Sequence, residues 1–89
     1  MNRLNDIYSL NVLSFNVRGL RLETKRISIF QYLIRKKIDI CFLQETHSTE
    51  RDENIWRNEW GGEVKYSHGT SQARGVMILV KPGFDFTVD

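Results

Sequence analysis

Two short apolar runs, separated by one amphipathic segment, constrain the fold of this chain more than any other feature. Residues 10–15 are rich in apolar side chains and are closed by Asn16 and Gly19, which predicts a first β-strand. Residues 40–43 form a continuous apolar run, typical of a second strand buried on both faces. The segment between them is helical in pattern, and strands joined by one helix pair in parallel with a right-handed crossover. Both strands are therefore expected to end at the same edge of a sheet.

The intervening segment carries the signals of a helix at both ends. Its apolar residues recur at spacings of three and four: Ile27, Phe30, Leu33, Ile34 and Ile38. Thr24 can cap the start. The cationic residues 35–37 lie where a helix C-terminus favours positive charge.

The rest of the chain predicts a short helix and further strands. Ser48 or Thr49 can open a helix over residues 51–60, which Gly61 and Gly62 would end. This helix is expected to bury three apolar side chains: Ile55, Trp56 and Trp60. Residues 64–66 and 75–80 predict an antiparallel hairpin, and residues 84–88 alternate as a half-buried strand does. The order of these elements indicates an α+β fold that contains a sheet.

Composition narrows the class of protein without identifying it. The chain has 89 residues, 40% hydrophobic and 27% charged, as in one folded globular domain. Cys41 is the only cysteine, so no internal disulfide can form, and it is expected to be a small buried apolar group. The net charge of +2 permits a polyanionic partner without requiring one. No apolar stretch or signal-peptide pattern points to a membrane, so a soluble, intracellular protein with no membrane partner is expected.

Asn16 and Glu45 are the polar residues at the predicted ends of the two parallel strands. Open sheets usually place ligands at this edge. A carboxylate directly behind an apolar strand needs water or a cation, and Mg²⁺ is commonly held by one or two carboxylates together with phosphate oxygens. Asn16 could hold a phosphate oxygen or orient a carboxylate. The alternative is that Asn16 is an ordinary turn residue and Glu45 is simply solvated.

Two strings of residues resemble signature motifs of the endonuclease/exonuclease/phosphatase superfamily. Residues 13–20 read Leu-Ser-Phe-Asn-Val-Arg-Gly-Leu, and residues 41–47 read Cys-Phe-Leu-Gln-Glu-Thr-His. Residues 66–80 are similar to the hairpin that follows in the same enzymes. The resemblance implies a deoxyribonuclease I-like fold, a two-layer β-sandwich flanked by helices, of which residues 1–89 would be the N-terminal portion. It also implies catalytic roles for Asn16 and Glu45 at a site for Mg²⁺, or Mn²⁺ as the alternative ion, with Glu45 and Asn16 as the metal-binding residues.

Arg18 and His47 favour one branch of that superfamily. Repair enzymes usually carry an Asp at the place of Arg18, and His47 after Gln-Glu-Thr is similar to LINE-type retrotransposon endonucleases. This branch implies a DNA backbone as substrate, a nuclear location and a reverse-transcriptase domain in the parent polyprotein. Four residues are candidate substrate contacts: Arg18, His47, His68 and Arg74. Both histidines are expected to be solvated loop residues rather than proton-transfer groups.

The later motifs of the superfamily are not found among these residues. They are a Tyr, an Asp-x-Asn pair, another Asp and a terminal Asp-His pair that bears the general base. We therefore expect the chain to be inactive alone. The alternatives are a phosphatase or lipid phosphodiesterase of the same superfamily, or a catalytically dead remnant that serves as a binding module.

Overall fold

The computed structural model of the chain describes residues 10–70 and 74–84. Its helices and strands follow in the order β1 (Val12–Asn16), α1 (Glu23–Arg35), β2 (Ile40–Gln44), a 3-10 turn (Glu50–Asp52), α2 (Glu53–Trp60), β3 (Glu63–Ser67) and β4 (Val76–Val80). These strands form one mixed sheet with the order β1-β2-β4-β3. β1 and β2 are parallel, whereas β4 runs antiparallel to both β2 and β3. The predicted α+β class, the parallel pair and the hairpin are confirmed.

One face of the sheet forms the core with both helices. In-register neighbours on this face run across the sheet from Leu13 through Cys41 and Leu79 to Val64. The helices cover them with four buried side chains: Phe30, Leu33, Trp56 and Trp60. Cys41 is buried as expected, and burial raises the pKa of its thiol to about 12. The thiol is therefore neutral and acts as a small apolar group.

The opposite face of the sheet, here called the outer face, carries exposed apolar side chains among polar ones. Val12 is 53% exposed, Phe42 37% and Val76 38%. The expectation that β2 is buried on both faces is thus wrong for the described residues, because α1 and α2 both pack on the side of Cys41 and Leu43.

Helix α1 begins and ends earlier than its sequence pattern predicts. Leu22 is the N-cap, without a side-chain cap, so Thr24 lies inside the first turn and does not cap the helix. Lys25 instead ties this turn to the preceding loop by donating to the Val17 carbonyl over 2.5 Å. The helix stops at Arg35 because Lys37 adopts a left-handed backbone (φ 57°). Ile38 therefore packs on the core from outside the helix.

Helix α2 has the predicted signals at both ends. Thr49 caps the 3-10 turn in a reciprocal capping box with Asp52, and Gly61 ends the helix with φ 83°. Trp56 and Trp60, one turn apart, are buried as expected. Ile55 is 57% exposed, so its predicted burial is wrong: a residue adjacent to Trp56 points about 100° away from the inward face.

The strand predicted over residues 84–88 lies, after Phe84, outside the described residues. The Phe84 amide donates to the Lys81 carbonyl and closes a turn after β4. Among the helices that the structure describes, none is both long and apolar enough to cross a membrane.

Candidate functional site

The parallel pair brings Asn16 and Glu45 together at one edge of the sheet. Asn16 is the last residue of β1 and lies opposite Gln44, so Glu45 is the next residue beyond β2. The Asn16 amide nitrogen donates a hydrogen bond to Glu45 Oε2. The predicted meeting of these side chains, 29 positions apart in sequence, is confirmed.

The Asn16 amide is fixed from both sides. Its Oδ1 accepts a hydrogen bond of 2.9 Å from the Arg18 amide, which assigns the nitrogen to the side of Glu45. An amide nitrogen can orient a carboxylate but cannot bind a cation. In this geometry Asn16 therefore orients Glu45, and its predicted role as a direct metal ligand stays a prediction.

The segment that carries Glu45 is held between two loops by main-chain hydrogen bonds. On one side the Gly19 amide donates to the Glu45 carbonyl (2.6 Å). On the other, the His47 amide donates to the Arg74 carbonyl (2.7 Å). Glu45 and His47 adopt left-handed backbones (φ 56° and 57°), which cost energy in residues other than glycine unless neighbouring bonds hold them. The side chain of Glu45 thus projects from a fixed support.

Cationic groups surround the Glu45 carboxylate. Arg74 Nη1 donates to Glu45 Oε1 over 3.3 Å, whereas the Arg18 charge acts on the carboxylate without a hydrogen bond to it. The hydrogen bond from Asn16 and then those charges hold the pKa of Glu45 below its ordinary value. The carboxylate is therefore ionised at neutral pH.

An open polar cleft of about 520 Å³ adjoins this carboxylate. Its lining residues are His47, Ser48, Thr49, Gly69, Thr70 and Arg74. His47 is exposed, as expected of a loop residue. The cleft thus combines hydroxyl groups with a cationic rim, a suitable lining for phosphate oxygens.

His68 differs from its expected solvated position. Its ring lies 2.8 Å from Ser48 Oγ and 2.6 Å from Glu53 Oε2, and only 23% of the side chain is exposed. The imidazole thus ties the end of β3 to the loop after β2 and to the start of α2. His68 itself does not belong to the lining of the cleft.

Arg21 and Asp52 form a bridge that the motifs did not single out. Arg21 donates two hydrogen bonds to the buried Asp52 carboxylate (2.8 and 3.0 Å) and one to the His47 carbonyl (3.2 Å). The bridge joins the loop after β1 to the loop after β2. The spacing of Thr49 and Asp52 was a visible sign of the capping box, but the distant Arg21 could not be paired with Asp52 without the fold.

The donor set fits Mg²⁺ only in part. Within residues 10–70 and 74–84 no three His, Cys, Asp or Glu side chains come together as one metal site. A single ionised, oriented carboxylate suits an ion that keeps most of its waters and takes further oxygens from a phosphate. Among the described residues, Glu45 would supply one ligand to such an ion.

Comparison with known proteins identifies the class to which this fold belongs. The chain belongs to the endonuclease/exonuclease/phosphatase family, whose model matches residues 9–89. It is also similar to the uncharacterized 149 kDa protein of transposon TX1 from Xenopus laevis, with 32% identity over 76 residues. That match covers 85% of this chain but 6% of the length of the relative. The resemblance expected from the motifs is confirmed, and the mixed sheet with two helices is consistent with part of the family's fold.

Proposed function

We propose that this chain is the N-terminal part of a magnesium-dependent DNA endonuclease of retrotransposon type, which hydrolyses phosphodiester bonds. The observation that carries the proposal is the contact of Asn16 with Glu45 at the carboxyl ends of two parallel strands. The family match and the similarity to a transposon protein support the class of reaction and the source.

In this proposal, different residues bind the metal ion and the DNA backbone. Glu45 would hold Mg²⁺ through its carboxylate, while Asn16 keeps that carboxylate oriented. When bound, the ion supplies charge stabilisation at the scissile phosphate and the leaving oxygen. Arg18, His47 and Arg74 lie around the carboxylate and the cleft, where they can contact the DNA backbone.

The parent protein in this proposal is a transposon polyprotein that acts in the nucleus and also carries a reverse transcriptase. A relative as large as 149 kDa supports a multidomain parent. The described residues offer one ligand carboxylate at the site and no Asp-paired histidine to activate water there. We therefore expect the 89-residue chain to bind a divalent ion weakly without catalysing turnover.

Metal binding tests the proposal directly. Free Mn²⁺ can be counted by electron paramagnetic resonance while the chain is titrated. Because Glu45 is the proposed ligand, Glu45→Gln should weaken binding by about tenfold or more. Glu50→Gln, an exposed acid in the 3-10 turn, is the matched control and should bind as the wild type does. Equal affinity of the Glu45→Gln variant and the wild type would refute the proposed site.

A further inference from the structure

Both oxygens of the Glu45 carboxylate already have partners. Oε2 accepts from the Asn16 amide, and Oε1 accepts from Arg74 Nη1 over 3.3 Å. Oε1 has a second lone pair, but a divalent ion that binds through it comes close to the guanidinium group and competes with it for the carboxylate. Two cations cannot share that oxygen at close range without strong repulsion.

The backbone of Arg74 is held firmly, whereas its side chain is held by a weak contact. Its carbonyl accepts the His47 amide over 2.7 Å, so the backbone is fixed beside the Glu45 segment. Its side chain is 59% exposed and makes a long, single contact with Glu45. Exposed ion pairs of this kind contribute little to stability, so the guanidinium can leave while the backbone stays in place.

The bridge between Arg21 and Asp52 provides the contrast. There two guanidinium nitrogens meet both carboxylate oxygens, and the Asp52 side chain is only 8% exposed. Breaking that pair would leave a buried carboxylate with fewer hydrogen bonds, which is costly. Of these two arginine–carboxylate pairs, the pair of Arg74 with Glu45 is built to exchange.

We infer that Arg74 is an exchangeable counter-cation: it neutralises Glu45 in the metal-free protein and is released to a substrate phosphate when a divalent ion binds. The inference rests on the proposed function. Since Arg74 also lines the polar cleft, the released guanidinium stays next to the place where the phosphate would lie. A planar guanidinium can then donate two parallel hydrogen bonds to phosphate oxygens.

If Arg74 exchanges in this way, removing its guanidinium group should have opposite effects on the affinities for Mn²⁺ and for duplex DNA. Removing the guanidinium in Arg74→Gln removes a competitor for Glu45, so Mn²⁺ should bind about two- to fivefold more tightly. The same substitution removes a phosphate contact, so duplex DNA should bind more weakly in the presence of Mn²⁺. The slope of log affinity against log salt concentration should also fall by about 0.9 for one lost contact.

Two other arginine variants show whether the effect of Arg74 comes from its hydrogen bond to Glu45 or only from its charge. Arg18→Gln removes a charge that acts on Glu45 without a hydrogen bond to it, and Arg35→Gln removes an exposed charge at the end of α1. Each variant of the full chain is titrated with Mn²⁺, using paramagnetic resonance, and with fluorescein-labelled duplex DNA, using anisotropy. We expect Arg74→Gln to exceed Arg18→Gln in its gain of metal affinity and Arg35→Gln to change neither affinity. A gain no larger than that of Arg18→Gln overturns the inference.

The wild-type chain offers a check that needs no substitution at Arg74. In a nitrogen-15 spectrum the side-chain Nε signal of Arg74 should move when Mg²⁺ is added, and it should stay still in Glu45→Gln. If the Arg74 Nε signal does not move although Mg²⁺ binds through Glu45, the proposed exchange is wrong but the proposed function is unaffected. If no divalent ion binds through Glu45 in the wild type, the proposed function and the inference both fall.

Discussion

At the scale of single residues, the candidate site depends on unusual backbone conformations. Glu45 and His47 have positive φ angles, and Gly75 has φ 89° beside them. A positive φ costs about 1–2 kcal/mol for a residue with a side chain, so such conformations persist only where neighbours fix them. Here the fixing bonds include the one from the Thr46 amide to the Gly75 carbonyl (3.2 Å). The position of Glu45 therefore depends in part on the backbone of Gly75.

A pair of glycine substitutions tests this dependence. A Cβ atom at Gly75 would lie 2.8 Å from Thr46 Oγ1, whereas one at Gly83, which has a similar φ of 80°, would meet nothing within 4 Å. Both alanine variants must place a side chain at a positive φ, which costs about 1–2 kcal/mol each. Gly75→Ala should lose about 1 kcal/mol more in urea unfolding because Thr46 must move. Equal losses at the two positions would contradict the proposed support of Glu45.

At the scale of elements, the two loops that form the site are joined by a charged bridge. Asp52 is the N-cap of α2 and accepts hydrogen bonds from Arg21, in the loop after β1, and from Thr49. Burial raises the pKa of Asp52, but these bonds outweigh burial and place the pKa below 3.8. The bridge is therefore intact at neutral pH and fails only in acid.

Replacing Asp52 should make this acid dependence visible. Because the folded-state pKa is depressed, the ionised carboxylate stabilises the fold above the ordinary pKa of 3.8 and loses that effect as pH falls through the folded value. Asp52→Asn should thus cost about 1–2 kcal/mol at neutral pH and progressively less below about pH 4. Chemical denaturation at a series of pH values measures the difference. Glu50→Gln serves as control, and a cost for Asp52→Asn that does not change with pH would refute the assignment.

The sequence predicts the presence of the helices and strands better than the residues at which they begin and end. Period and run length located both helices and the strands of the hairpin, since these patterns reflect burial of one face. The predicted start of α1 is misplaced because Lys25 and Arg26 hold the first turn through carbonyls eight and six residues earlier, rather than through a cap at Thr24. Such bonds depend on the path of the loop between β1 and α1, which the hydrophobic period does not report.

At the scale of the whole molecule, the sheet has one covered face and one open face. Both helices pack on the side of Cys41, and the outer face presents Val12, Phe42 and Val76 to solvent in the described residues. Exposed apolar side chains on one face of a sheet favour association. We therefore expect the chain to self-associate through this face.

Isosteric substitutions on the outer face test that expectation. Val12→Thr together with Val76→Thr keeps the shape and β-propensity of both positions but adds polar groups. Sedimentation velocity should show less self-association than for the wild type, with nearly the same melting temperature. Ile55→Thr makes a similar change on α2, at an apolar residue that is 57% exposed, and should leave association unchanged. The same reduction in the Ile55 variant would show that the outer face is not the contact surface.

The sequence by itself determined the order of the elements, the parallel pairing of β1 with β2, and hence the meeting of Asn16 with Glu45. These follow from hydrophobic period and chain connectivity, which are local properties. Only the tertiary structure decided that Asn16 orients the carboxylate, that Arg74 occupies its second oxygen and that Arg21 joins the two loops through Asp52. Each of these contacts depends on the direction of side chains from separate loops, and that direction is set by packing and main-chain hydrogen bonds rather than by any short run of residues.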